Sequence, residues 1–294
     1  MPARVALASA KAAWGIDPDE PGLLEALEEA GVAAEPAAWD DDAVDWAGFD
    51  LVVLRSTWDY AERREEFLDW LDGVARVTRV ENPPEIVRAN TDKRYLDMLA
   101  MAGVPVVPTR FVEPGQDLEP LPDRPFVVKP SVSAGSRDTL RCDAGEHRRP
   151  AALARRVHGE GRTVMVQPYV ASVDHRGETA LCFIDGAFSH AIAKGAILAP
   201  GSDVIEGLHA PEQLTSRTAS GAERTVAEAA LPALGARDLL YARVDVVDDD
   251  HGAPSVLEVE LTEPSLFLRM APGAAQRFAR AIAGRARRGV RTSS

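Results

Sequence analysis

The chain has 294 residues, 46% hydrophobic and 27% charged, with a net charge of −13. That length suits about two domains with buried cores, and the acidity excludes the basic face that a nucleic-acid partner requires. Cys142 and Cys182 stand at no motif spacing, which excludes a disulfide framework or a zinc site.

MPARVALASA lacks a long apolar core and reads as no signal peptide. No apolar run approaches the length of a membrane span. A cytoplasmic protein without membrane or nucleic-acid partners is expected; homo-oligomerisation is left open.

In chain order, residues 3–8 (ARVALA) predict a buried strand, and PDEPGLLEALEEAG predicts a helix that Gly31 ends. A short strand near Val32–Pro36 follows. FDLVVLRS carries a second apolar run at Leu51–Leu54, and residues 61–72 are an amphipathic helix. This alternation implies a small parallel sheet over residues 1 to about 85. Pro83-Pro84 marks a boundary. TDKRYLDMLAMAGV predicts a helix capped by Thr91 and closed by Gly103, with VPVVPTRFV extended after it. RPFVVKPSVSAGSRDT is a strand running into a small-residue loop, and RTVMVQPYV is a strand that ends at Pro168. ETALCFIDGAFSHAIAKGA is a hairpin turning at Asp185-Gly186. Residues 219–235 are helical, LLYARVDVV and PSVLEVEL are two strands around an acidic turn, and 273–288 form a last helix before a frayed Arg-rich tail.

The 33 basic residues include only four lysines: Lys11, Lys93, Lys129 and Lys194. A chain that otherwise uses Arg keeps Lys where a compact ammonium is needed. Lys11 reads as a leftover surface residue; the other three sit in or beside apolar segments.

Side chains alternate along a strand, so Glu258 and Glu260 share a face, as do Arg243 and Asp245. Three acids on adjacent apolar strands are costly unless compensated. Mg2+ takes oxygen ligands of this kind, and Arg243 can hold a phosphate bidentately. The plainer alternative is a solvent-facing side of an antiparallel sheet. After the strand that delivers Lys129, the loop with Ser133, Gly135 and Ser136 offers N–H and hydroxyl groups to phosphate oxygens. It is neither a P-loop nor a GxGxxG turn. Gln167, Tyr169 and Val170, where pairing lapses at Pro168, suit an adenine edge; an ordinary Pro-ended edge strand has the same pattern. Arg55, Ser56, Thr57, Trp58 and Asp59 follow the carboxyl end of a parallel strand, where α/β sheets place ligands. His175 and His190 read as bystanders.

In this order the segments resemble the ATP-grasp superfamily, over about residues 1–285. Lys93 before a helix, Lys129 on a strand, the QPYV hinge at 167–170, Glu178 after it, Arg243-x-Asp245 and a closing Glu258-Val-Glu260 each match a family motif. The usual Asn of the closing strand is here Glu260. The resemblance implies an α/β (α+β) ATP-grasp fold with an N-terminal small parallel α/β domain. The expected limits are 1–88 for the N-terminal substrate-side domain, 89–170 for the small or lid subdomain, 171–288 for the metal and catalytic subdomain, and 289–294 for the tail.

The resemblance further implies an ATP- and Mg2+-dependent carboxylate–amine ligase working through an acyl phosphate. Lys93, Lys129, Ser133, Gly135, Ser136, Gln167, Tyr169, Val170 and Glu178 would hold ATP. Asp245, Glu258 and Glu260 would hold two Mg2+ ions, and Arg243, Lys129 and Lys194 would act catalytically. Arg55, Ser56, Thr57, Trp58, Asp59, Glu263 and Ser265 would face a small amino-acid-like substrate. Within the superfamily the chain is similar to the glutathione synthetase and RimK branch. LRSTWDY, FSHAIAKGA and LEVELTEPSLFL are similar to the O-ureidoserine cyclo-ligases of D-cycloserine biosynthesis. The competing readings are a ligase joining two separate substrates, a kinase that stops at the acyl phosphate, and a nucleotide-binding module without catalysis.

Overall fold

The computed structural model describes residues 2–198, 201 and 213–290. The N-terminal third alternates as its apolar runs predict: β1 (Ala3–Ser9), α1 (Glu20–Glu29), β2 (Val32–Ala38), β3 (Leu51–Ser56), α2 (Arg64–Ala75) and β4 (Val80–Glu81). The strands form a parallel sheet in the order β2-β1-β3-β4. β1 and β3 are central, so both faces are covered and their sequences are continuously apolar rather than alternating.

Two short helices follow, α3 (Pro84–Asn90) and α4 (Tyr95–Met101). Pro84 sits in the first turn of α3, where its missing N–H costs nothing. Thr91 therefore ends α3 and does not open α4, contrary to the sequence expectation. Its hydroxyl donates to the Arg88 carbonyl at 2.9 Å and accepts from Arg64 Nε at 2.8 Å.

β5 (Arg110–Val112), β6 (Phe126–Pro130), β7 (Leu140–Cys142), α5 (Arg148–Gly159) and β8 (Val164–Pro168) make a second unit. It is an antiparallel sheet in the order β5-β8-β6-β7, packed on α5 through Leu153, Ala154 and Val157.

The third unit comprises α6 (Val173–Arg176), β9 (Glu178–Ile184), β10 (Ala187–Lys194), β11 (Leu214–Arg217), α7 (Gly221–Ala233), β12 (Tyr241–Asp248), β13 (Pro254–Glu260) and α8 (Ala274–Val290). Its sheet is antiparallel in the order β11-β10-β9-β12-β13. Asp185 and Gly186 both take positive φ (50° and 77°) to make the tight β9–β10 turn, the backbone that an Asp-Gly pair favours. Ser220 and Glu223 form a reciprocal capping box at the start of α7.

α8 ties the first and third units together. Phe278, Ala279 and Ile282 are fully buried in one core with Val5, Leu7, Leu51 and Val53 of the parallel sheet and Cys182 and Tyr241 of the antiparallel one. The Phe278 ring meets Tyr241 edge-on with centroids 6.0 Å apart. Among the described residues, no helix is long and apolar enough to cross a membrane.

Candidate active site

The three units wall a cleft. Its polar centre is built on β12 and β13. Cross-strand register places Arg243 opposite Glu260 and Asp245 opposite Glu258, so the four charged side chains meet as neighbouring pairs on one face. The Arg243 guanidinium forks onto Asp245, Nε to Oδ1 at 2.8 Å and Nη2 to Oδ2 at 2.9 Å, and also holds Glu260.

At the end of β10, Lys194 Nζ lies 2.8 Å from Asp245 Oδ2 and 3.0 Å from Glu178 Oε2. Gly177 permits this approach: a Cβ there would stand 2.2 Å from the Lys194 carbonyl oxygen. From the other walls come Lys93, whose Nζ is 3.1 Å from Glu258 Oε1, and Lys129, 3.6 Å from Oε2 of the same carboxylate.

The energetics follow from burial. Asp245 is 2% exposed; burial alone would raise its carboxyl, but Arg243 and Lys194 outweigh it and hold it down at about 2. Burial likewise opposes the charge on Glu258, and Lys93 and Lys129 overcome it, so that carboxyl is lowered. Glu260 goes the other way, to about 7, because burial and then the charges of Asp245 and Glu258 outweigh Arg243. Burial lowers the Lys129 ammonium.

The lining contains Lys93, Lys129, Ser133, Gly135, Ser136, Gln167, Tyr169, Val170, Glu178, Lys194, Arg243, Glu258, Glu260, Glu263 and Ser265. The Lys93 ammonium donates to the Ser133 carbonyl at 2.6 Å and reaches its hydroxyl at 3.2 Å, so it also moors the small-residue loop. Gln167 is fixed by a 2.9 Å bond from Nε2 to Thr109 Oγ1. Arg141 lies 3.5 Å from the centre of the Tyr169 ring.

Of residues 55–59, only Trp58 lines the cleft. The other four are buried: Arg55 and Ser56 end the central strand β3, and Thr57 and Asp59 follow in the loop after it. Arg55 is 2% exposed, ion-paired to Asp17 at 3.3 Å and over the Phe278 ring at 5.7 Å. Ser56 Oγ meets Ser9 Oγ at 2.8 Å, and Asp59 accepts from Trp39 Nε1 at 2.9 Å. Thr57 is buried and, among the described residues, its hydroxyl has no partner. Asp245 also lies outside the lining, beneath Arg243 and Lys194.

Arg55 and Trp58 share a different task with Arg243. The segment after β13 has five consecutive carbonyls, each accepting a side-chain hydrogen bond. Thr262 receives Tyr241 Oη at 2.8 Å, Glu263 receives Trp58 Nε1 at 3.2 Å, and Pro264 receives Arg55 Nη1 at 3.3 Å. Ser265 receives Arg243 Nη1 at 3.1 Å, and Leu266 receives His190 Nε2 at 2.7 Å. The backbone carrying Glu263 and Ser265 is thereby fixed from both sheets. His190 thus serves as a structural donor.

Sequence reading passed over Tyr60, Asn90 and Tyr95, which also line the cleft. Asn90 Nδ2 donates to the Val259 carbonyl at 2.8 Å and its Oδ1 accepts from Leu261 N at 2.7 Å; Tyr95 Oη accepts from Val259 N at 3.1 Å. They secure the outer edge of β13. The only signal for Tyr60 was its spacing of two from Trp58.

The acids offer hard oxygen donors of the type Mg2+ takes, and Glu258 and Glu260 present theirs to the cleft. Among the described residues, however, no three His, Cys, Asp or Glu side chains converge on one point, because each of these acids is drawn to a Lys or Arg.

A relative from Streptomyces lavendulae, "Cycloserine biosynthesis protein DcsG", is 44% identical over 286 residues, covering 92% of this chain and 94% of the relative. The chain belongs to the D-cycloserine synthetase family. Residues 5–82 match the family model for the N-terminal domain of D-cycloserine synthetase DcsG. The crystal structure of D-cycloserine synthetase DcsG superposes with a TM-score of 0.89 at 42% identity, over 96% of this chain and 99% of that one. The fold also recurs in the D-alanine–D-alanine ligase of Bacillus anthracis, with a TM-score of 0.68 at 16% identity over 99% and 98% of the two chains. As a D-cycloserine synthetase family member, the protein has the ATP-grasp fold and is an ATP-dependent ligase.

Proposed function

We propose that this ligase phosphorylates the carboxylate of a small amino-acid-like substrate and closes a ring with a nitrogen of the same molecule, the substrate being O-ureidoserine in D-cycloserine biosynthesis. One observation carries the chemical part: Lys93 and Lys129, from one side of the cleft, meet the Glu258 carboxylate on the other. Phosphate oxygens entering between them compete for those ammonium groups. The 44% identical relative supports the choice of pathway.

In this reading a carboxylate oxygen attacks the γ-phosphorus, the bond to the β–γ bridging oxygen breaks, and ADP leaves. The nitrogen lone pair then attacks the acyl carbon, the carbon–oxygen bond to phosphate breaks, and the nitrogen loses its proton; with O-ureidoserine the ring nitrogen still carries its carbamoyl group, which water then removes as carbon dioxide and ammonia. Little of this needs covalent help from the protein; positioning and charge neutralisation suffice. Lys93, Lys129 and Arg243 stabilise charge on the moving phosphoryl group, and Lys194 neutralises the substrate carboxylate or a phosphate. Ser133, Gly135 and Ser136 wrap the phosphates, Glu178 lies on the nucleotide side, and Gln167, Tyr169 and Val170 border adenine. Asp245, Glu258 and Glu260 would hold Mg2+, two ions in the family pattern, which supplies further neutralisation of phosphate charge. Use of ATP agrees with a cytoplasmic location.

The test is an ADP-release screen over amino-acid-like acids, including O-ureidoserine, with hydroxylamine trapping. O-Ureidoserine is expected to release ADP with no added amine. ADP release that requires a second, separate amine would make the enzyme a bimolecular ligase instead. Trapping of an acyl phosphate with no cyclic product would make it a kinase.

A further inference from the structure

We infer that the Glu263 carboxylate receives the α-ammonium group of the substrate and so restricts this ligase to α-amino acids. The inference rests on the reading above that the acid enters this cleft.

Charge pairing around the cleft leaves one group over. Lys93, Lys129, Lys194 and Arg243 are matched to the acids of β9, β12 and β13. Glu263 also lines the cleft and is 7% exposed, yet among the described residues its carboxyl has no ion pair or hydrogen bond. Its oxygens open to the cleft and not to a protein partner, so a ligand that fills the cleft and excludes water must supply a partner or leave the group at a cost. The cost is recovered where a ligand brings the missing partner, and for a carboxylate that partner is a cation. Burial, and next the charge of Glu260, push the Glu263 carboxyl well above its usual range, a direction that a bound ammonium reverses.

The site is built rather than accidental. Glu263 lines the cleft beside Trp58, whose Nε1 donates to the Glu263 carbonyl at 3.2 Å. Its own carbonyl is held by Trp58 from the loop after β3, and those on either side by Tyr241 of β12 and Arg55 of β3, so the side chain leaves a fixed backbone. Such support gives a specificity group its accuracy. An α-ammonium nitrogen lies two bonds from the carbon of the carboxylate that is phosphorylated, so a fixed Glu263 also orients the reacting carboxylate. A site made to pair with one polar group rejects the analogue lacking it, because the protein group is then left buried and alone.

The experiment measures ADP release with Mg-ATP for acids that differ only in the α-amine: O-ureidoserine and 3-(ureidooxy)propionate, serine and 3-hydroxypropionate, alanine and propionate. The unaltered enzyme is expected to prefer the amine-bearing member of its best pair by roughly 100-fold or more in kcat/KM. Glu263→Gln is expected to cut that preference to below about tenfold, mainly through KM for the acid, with the ATP and Mg2+ dependence unchanged. Should Glu263→Gln lose its folded near-UV spectrum, Glu263→Asp, which keeps the charge but shortens the reach, is expected to show an intermediate preference. Full retention of the preference in these variants overturns the inference. So does a shifted Mg2+ requirement with the preference intact, equal use of amine-free acids by the unaltered enzyme, or no ADP release with any amine-bearing acid. If serine or alanine is used and O-ureidoserine is not, the proposed substrate falls while the role of Glu263 stands.

Discussion

Lys129 and Glu258 face each other across the cleft, Nζ 3.6 Å from Oε2, although they belong to different sheets. Lys129 enters from the four-stranded antiparallel sheet that packs on α5, and Glu258 from the five-stranded sheet that carries Arg243 and Asp245. The same carboxylate holds Lys93 through its other oxygen. Removing one ammonium therefore leaves Glu258 paired, and the fold should survive. Lys129→Ala is expected to reduce ADP formation by roughly 100-fold or more, with an unchanged melting profile. Steady-state ADP release beside thermal melting checks this; normal turnover would remove the phosphate role.

Glu258 differs in consequence, because it compensates two buried cations and offers oxygens to the cleft. Glu258→Gln keeps the shape and removes the charge. The half-saturating Mg2+ concentration for ADP release is expected to rise about tenfold or more. An unchanged Mg2+ titration would count against metal ligation by this residue. Chelation by EDTA is expected to abolish ADP release in both proteins, with recovery when Mg2+ is restored.

Much of this arrangement was legible because strand periodicity is a strong local rule. Two-residue spacing in Arg243-Val-Asp245 and Glu258-Val-Glu260 places like faces together whatever the rest of the chain does. Scarcity of lysine marked Lys93, Lys129 and Lys194, which all line the cleft, and set Lys11 apart, which pairs with Asp41 on the surface. What local rules cannot supply is which strand becomes central. β3 is covered on both faces, so Arg55 and Ser56 at its end turned into the interior instead of toward the cleft, and Thr57 and Asp59 in the loop after it are buried as well. α5 escaped notice because RRPAALARRVHG spends five of its twelve positions on Arg and His and places Pro in the first turn, which masks the stripe Leu153-Ala154-Val157. Thr91 illustrates the same limit: whether a Thr opens or ends a helix depends on whether the residues before it, here after Pro84, are already helical.

Arg55 and Asp17 form an ion pair in which both side chains are nearly inaccessible, at 2% and 3% exposure. Breaking such a pair leaves an uncompensated buried charge, which typically costs about 3–5 kcal/mol. Arg55→Ala also frees the Pro264 carbonyl, loosening the segment that carries Glu263. A loss of stability of that size is expected in denaturant unfolding, together with a raised KM for the acid and an unchanged KM for ATP. A raised KM with full stability would instead indicate that Arg55 touches the substrate.

His190 gives a pH signature from the same segment. Its Nε2 donates to the Leu266 carbonyl at 2.7 Å and Nδ1 stands 2.9 Å from Ser189 Oγ. Burial is the chief cause that lowers this imidazole below its ordinary 6.5. The unfolded chain then binds a proton at a higher pH than the folded one. Stability contributed by neutral His190 is therefore full above about pH 6.5 and is lost as the pH falls through that value toward the folded one. Between about pH 7.5 and 5.5 the melting temperature of the unaltered protein is expected to lose ground relative to that of His190→Gln; Glu260, raised to about 7, acts with the opposite sign but in both proteins alike. That variant should start lower at neutral pH, because it gives up ring packing and the bond to Leu266. Parallel pH profiles for the two proteins would mean that His190 does not set the acid limit of the fold.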